Sequence, residues 1–298
     1  MRYILAIIGS LLLQSVAYGY VSARYPSGNM MQFAFIACIL CALFYELSLR
    51  IWPVEPHVSE DRRALRRIGI VTALSYVAFF AAMAFIPASV VSLTEIAVGP
   101  LFAVFVSAWF VGEQLNHAHA THRRDLWSAA GFFGVMFAAT LLVLKAVGVS
   151  VDQMIWGVVL SSFAGLGAAI IASIARLHLA HLSPRLVLAR RFHLTYVCAL
   201  ALGLMFEQWI WRWDFWLLSM CVAFFGVVLP MFLLQWGVQK VRPMITMLML
   251  AFVPAMIYVT ESVFSGHADG WVSGLITLGV AFAVVYTLMD MRRVQCFL

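Results

Sequence analysis

The sequence predicts an all-α integral membrane protein of ten transmembrane helices, arranged as two inverted five-helix repeats. Three observations carry that expectation. Of 298 residues, 64% are hydrophobic and only 11% are charged, too few charges to cover a soluble core of this size. Apolar runs of about 20 residues, the length that crosses a hydrocarbon core of ~30 Å, recur along the chain. A proline–glycine pattern also repeats between the two halves.

The expected spans are 3–22, 30–51, 68–86, 88–112, 125–146, 154–176, 191–209, 215–237, 243–264 and 270–290. The first follows Arg2 and has an apolar core long for a secretory signal, with no small-x-small cleavage site, so it reads as a retained helix. The third and fourth are divided only by Pro87 and must form a tight hairpin. The seventh is the weakest, with Arg190, Arg191 and His193 crowding its start and Glu207 at its end.

Arginine and lysine set the expected orientation. With the N-terminus inside, sixteen fall on the cytoplasmic side, Arg191 among them, and three (Arg24, Lys145, Arg212) outside. An even number of spans then puts both termini in the cytoplasm and the chain in the cell's inner or plasma membrane. The formal charge of +6 is explained by these helix-end residues and is no sign of nucleic-acid binding. Trp209, Trp211, Trp213 and Trp216 flank the seventh-to-eighth connection, where indoles favour the headgroup region. Cys38 and Cys41 form a C-x-x-C, read as two small helix-face residues rather than a redox pair.

The repeat lies in the fourth span of each half. "GPLFAVFVSAWFVGE" sets Pro100 twelve residues before Gly112, and "VPAMIYVTESVFSGH" sets Pro254 twelve before Gly266. The preceding hairpins end in "AFIPAS" and "VQKVRP". Five is odd, so the second copy runs inverted, dividing the chain into 1–148 and 149–298. Inverted repeats are a transporter architecture with the solute site near the midplane.

The stretch "AMAFIPASVVSLTEIAVGPLFAVFVSAWFVGEQL" (82–115) resembles the drug/metabolite transporter superfamily of the EamA type. "AAGFFGVMFAATLLV", "GVVLSSFAGLGAAIIASIAR" and the 226–290 segment are similar more weakly. The motif P-x11-G-E ends at Glu113, and the second copy departs from it at His267. The resemblance implies a carrier, in most members an exporter of amino acids and other small metabolites. It also implies a cavity lined by the first, third, fourth, sixth, eighth and ninth helices.

Glu95, in "SLTEIAVGPLFAVF", has no lysine or arginine within twenty positions on either side. A buried carboxylate of this kind takes up a proton or faces a polar cavity. Glu95 is therefore the expected proton-coupling residue and a ligand for a solute ammonium group; the competing reading is a protonated carboxyl bonded to Ser92. Gln14, Tyr76, Gln235, Trp236 and Tyr258 are the further expected substrate-binding residues. Pro100 and Pro254 remove backbone donors and are expected hinges, freeing carbonyls near Ile96 and Leu250. Glu261 is expected to be solvated or bonded to Lys145 or Thr260, and Glu46 and Glu113 to pair with Arg50 or the basic loops. Met249 occupies the place of Glu95 in the second half.

No cofactor or metal is expected, since His117, His119 and His122 share one short loop that holds no rigid ligand set. No H-E-x-x-H or G-x-S-x-G occurs, which weighs against an intramembrane enzyme. An importer, a channel and such an enzyme stand as alternatives to export. The expected partners are a small-molecule solute and the bilayer, with the chain a monomer or a homodimer.

Overall fold

The computed structural model describes residues 2–25, 29–54, 59–111, 119–250 and 252–266, together with 274, 277, 281 and 285. Among the described residues all regular structure is helical. The elements are α1 (Arg2–Arg24), α2 (Met30–Ile51), α3 (Ser59–Ala82), α4 (Ala88–Val111), α5 (His119–Val147), α6 (Val151–Leu177), α7 (Pro184–Arg191), α8 (His193–Phe206), α9 (Trp213–Ala223), α10 (Leu229–Val238), α11 (Pro243–Met249) and α12 (Phe252–Ser265). A π-helical turn, Phe224–Val228, joins α9 to α10.

Among the described residues nine stretches are long and apolar enough to cross a membrane: α1, α2, 61–82, 88–106, 126–145, α6, 184–206, 213–238 and 245–264. They match the first nine expected spans. The tenth, 270–290, lies outside the described residues except at Gly274, Thr277, Ala281 and Val285. Leu74, Phe163 and Phe225 are each more than 60% exposed, an outward apolar surface suited to lipid. Inside the helices Ser15, Thr94, Thr140 and Ser173 donate to carbonyls four residues back, which satisfies these hydroxyls within their own helix.

Local sequence explains the boundaries. Ser150 and Gln153 form a capping box at the start of α6. Gly148 ends α5 with φ 71°, a left-handed conformation that side chains disfavour. The third span starts earlier than expected. Arg62, Arg63, Arg66 and Arg67 lie within α3 on its exposed face, while Ala64, Leu65 and Ile68 are buried. That alternation is a helical stripe, so the arginines do not mark its end.

The seventh span is also corrected. Ser183 and Pro184 open α7, with proline at the start where its missing N–H costs nothing. Only the bend at Phe192 separates α7 from α8, so the apolar stretch runs from 184 to 206 and Arg191 lies within it. The ninth span is interrupted: α11 ends at Met249, and α12 begins at Phe252.

The most extensive contacts join α4 to α6, α3 to α6 and α1 to α12. Glycines permit this closeness. A Cβ on Gly19 would meet Thr260 at 2.6 Å, and one on Gly167 would meet Ser75 at 2.5 Å. A core of aromatic rings packs beside these crossings, with Tyr18 against Phe79 at 5.5 Å and Phe33 against Phe80 at 6.0 Å. Cys38 and Cys41 are buried free thiols in this core.

Candidate functional site

Where α1, α3, α4, α6, α7, α10, α11 and α12 converge, they leave a cavity of ≈ 110 Å³. Several helices contribute one face at three- or four-residue spacing: Leu11, Gln14 and Tyr18 from α1, Ser92 and Glu95 from α4, Gln235 and Val238 from α10. Apolar surface predominates, supplied by residues such as Phe79, Ile171, Leu234 and Val253. The polar minority is Gln14, Ser75, Ser92, Glu95, Arg191, Gln235, Thr246 and the hydroxyls of Tyr18 and Tyr76.

Four expected site residues, Gln14, Tyr76, Glu95 and Gln235, therefore share one cavity wall. Gln14 Nε2 donates to Ser10 Oγ at 2.7 Å, and Ser10 Oγ donates to the Pro230 carbonyl at 2.7 Å. That chain ties the cavity to the turn following the π-helical segment. The Tyr76 hydroxyl donates to Met231 Sδ at 3.4 Å. Trp236 and Tyr258 are not among the lining residues. One residue on from Gln235 is about 100° around a helix, and Trp236 packs edge-on against Tyr3 at 5.1 Å instead. Tyr258 packs, partly buried, against the main core.

Glu95 is partly buried and has no hydrogen-bond or ion-pair partner among the described residues. Ser92, its expected partner, is fully buried with its Oγ unpartnered. The backbone beneath Glu95 is fixed by α6, where Gly165 lets the helices approach.

Arg191 is the residue that sequence reasoning misassigned. It was expected at the cytoplasmic surface, yet it is 5% exposed and lines the cavity. Nε donates to Thr72 Oγ1 at 2.7 Å and Nη1 to Gln235 Oε1 at 3.0 Å. Its guanidinium carbon lies 5.8 Å from the centre of the Tyr76 ring and 5.3 Å from that of Phe192. Neutral hydrogen bonds and ring faces hold the cation, which makes no ion pair among the described residues. Taking such an ion out of water costs several kcal/mol. The neighbouring Arg190, half exposed, instead pairs with Glu46 at 2.9 Å, where His193 also approaches. The signal that would have found Arg191 is Ser183-Pro184, a helix-start pair two turns upstream.

The proline pair occupies unlike places. Pro100 is inside the continuous helix α4. Pro254 is the third residue of α12, just past the interruption, where Val253 N donates to the Leu250 carbonyl at 2.8 Å.

Two acids brace other helix ends. Glu261 is bonded to neither Lys145 nor Thr260; it reaches the N-terminus of α4, accepting from Ser89 N at 3.4 Å beside Ser22 of α1. Glu207 accepts from Met31 N at 2.7 Å and Gln32 N at 2.9 Å, capping α2. Burial pushes the Glu207 carboxyl above its usual range, more than those N–H bonds pull it down. Trp209, Trp211 and Trp216 cluster beside it, with Trp211 and Trp216 stacked at 5.8 Å. Glu113 and His117, and the side chains of His119 and His122, lie outside the described part. Among the described residues no group of acids, histidines and cysteines is arranged to hold a metal.

No protein-family model and no curated protein matches the chain. Solved structures do. One, described only as "Crystal structure of protein", is 18% identical, covers 96% of this chain and 100% of its own, and superposes with a TM-score of 0.67. At that identity the likeness concerns the fold alone: an all-helical chain whose apolar helices suit a multi-pass membrane protein.

Proposed function

We propose that the chain is a secondary transporter that exports amino acids or similar small metabolites by alternating access. In this reading ten helices form two inverted repeats, 1–148 and 149–298, of the drug/metabolite transporter kind, with both termini cytoplasmic. The halves rock about the cavity, and Glu95 takes the proton or the ammonium group of the solute.

The observation that carries the reading is the cavity wall itself. Glu95 from one half and Arg191 from the other line the same small, mostly apolar space without pairing. Buried polar groups are ordinarily satisfied, yet Ser92 Oγ and Gln235 Nε2 have no partner among the described residues. A bundle serving only as scaffold gains nothing from such a set; a solute site does.

Counterflow in proteoliposomes tests this. Preloading with an unlabelled amino acid should accelerate entry of the labelled one, and initial rates should saturate. Flux that rises linearly with concentration, without counterflow, would make the protein a channel. Absence of any flux across a broad metabolite panel would end the carrier reading.

A further inference from the structure

We propose that Arg191 selects the solute by charge: its guanidinium and the amide nitrogen of Gln235 form a seat for a carboxylate in the cavity wall. This rests on the transporter reading only in taking the cavity as the solute site.

A guanidinium has five N–H donors and stays charged in proteins. In Arg191 one donor is used on Thr72 and one on Gln235, and both acceptors are neutral. The other N–H groups of Nη1 and Nη2 meet no acceptor among the described residues. Gln235 is 1% exposed, and turning Oε1 toward Arg191 leaves its Nε2 buried and unpartnered. The opposite amide orientation would oppose two donors, so Arg191 itself fixes this one. The wall thus offers a full positive charge and several unspent donors, with no anion among the described residues paired to it. A planar carboxylate accepts two such bonds side by side.

The rest of the lining restricts the ligand further. Glu95 would repel a multiply charged anion such as a phosphate ester but would accept an ammonium group. Leu11, Phe79, Leu234 and Val253 offer apolar surface for the remainder. The class that meets all three requirements is a small monocarboxylate bearing an amine.

Binding is read as thermal stabilisation of the purified protein in detergent. The probes are the protein amino acids, their carboxamides and their decarboxylated amines. At least one acid should bind about tenfold or more tightly than its amide, the scale of a lost charge-assisted bond. Arg191→Gln should erase that preference; a bracing role alone would lower thermal stability and leave the acid-to-amide ratio intact. Gln235→Glu supplies an internal carboxylate to Arg191. It should fold at least as stably as wild type while binding the acid about tenfold or more weakly.

The seat is overturned if amides bind as tightly as acids, if Gln235→Glu leaves acid binding unchanged, or if no acid in the panel binds. The two readings fail separately. Arg191-dependent acid binding without counterflow would keep the seat and end the transporter reading. Saturable counterflow of amines and acids alike, indifferent to Arg191→Gln, would do the reverse.

Discussion

A Cβ built on Gly165 would stand 2.5 Å from the carbonyl oxygen of Glu95, so α6 lies directly on the backbone that carries the cavity's carboxylate. The oxygen belongs to a helix and cannot swing aside as a long side chain would. Gly165→Val should therefore lower stability by about 1–3 kcal/mol, the cost of overpacking, and, if the chain is the proposed carrier, reduce its flux by displacing Glu95. Thermal unfolding in detergent checks it. Gly9→Ala is the control, since a Cβ there meets nothing within 4 Å.

Glu95→Gln should flatten the pH dependence of flux in proteoliposomes while leaving the fold intact. The substitution keeps the shape and removes a charge that no basic side chain among the described residues pairs with, so thermal stability should hold or rise. A pH–rate curve identical to wild type would remove Glu95 from coupling.

Glu207 gives a stability effect with a defined sign. Its carboxyl is raised by burial in the folded chain, so the folded state binds the proton more readily than the unfolded one. The resulting stabilisation is full below the unfolded value of about 4.3 and is lost as pH rises through the folded value. Measured against Glu207→Gln, wild type should gain relative stability as pH falls from neutral. Glu207→Ala removes the cap on Met31 and Gln32 and should cost about 0.5–2 kcal/mol.

The two prolines should respond differently to alanine. Pro100 interrupts the hydrogen-bond ladder inside α4, where proline costs about 3 kcal/mol relative to alanine. Pro254 sits in the first turn of α12, where its N–H would have had little use. Pro100→Ala should therefore raise the unfolding temperature more than Pro254→Ala. If Pro100 is a working hinge, flux through the proposed carrier should fall in the same variant that gains stability. Equal unfolding temperatures would show that α4 accommodates Pro100 without that cost.

The positions of nine apolar helices were legible in the sequence because burial in lipid needs length and hydropathy, both local properties. The capping box at Ser150 and the left-handed Gly148 appeared only in the structure, although both are chemistry within four residues. Glu95 stood out because a carboxylate in an apolar run is rare in one dimension as well as in three. Arg191 did not, because adjacent arginines at the end of an apolar run look alike. Arg190 turns to Glu46 at 2.9 Å, while Arg191, one residue and about 100° on, turns inward to Thr72 and Gln235. Those partners are 119 and 44 residues away, and no local pattern encodes the meeting. The sequence by itself determined that the helices would be apolar and where most of them lie. Only the tertiary structure decided which of two neighbouring cations would be brought into the cavity, because that depends on helices from distant parts of the chain converging to bond it.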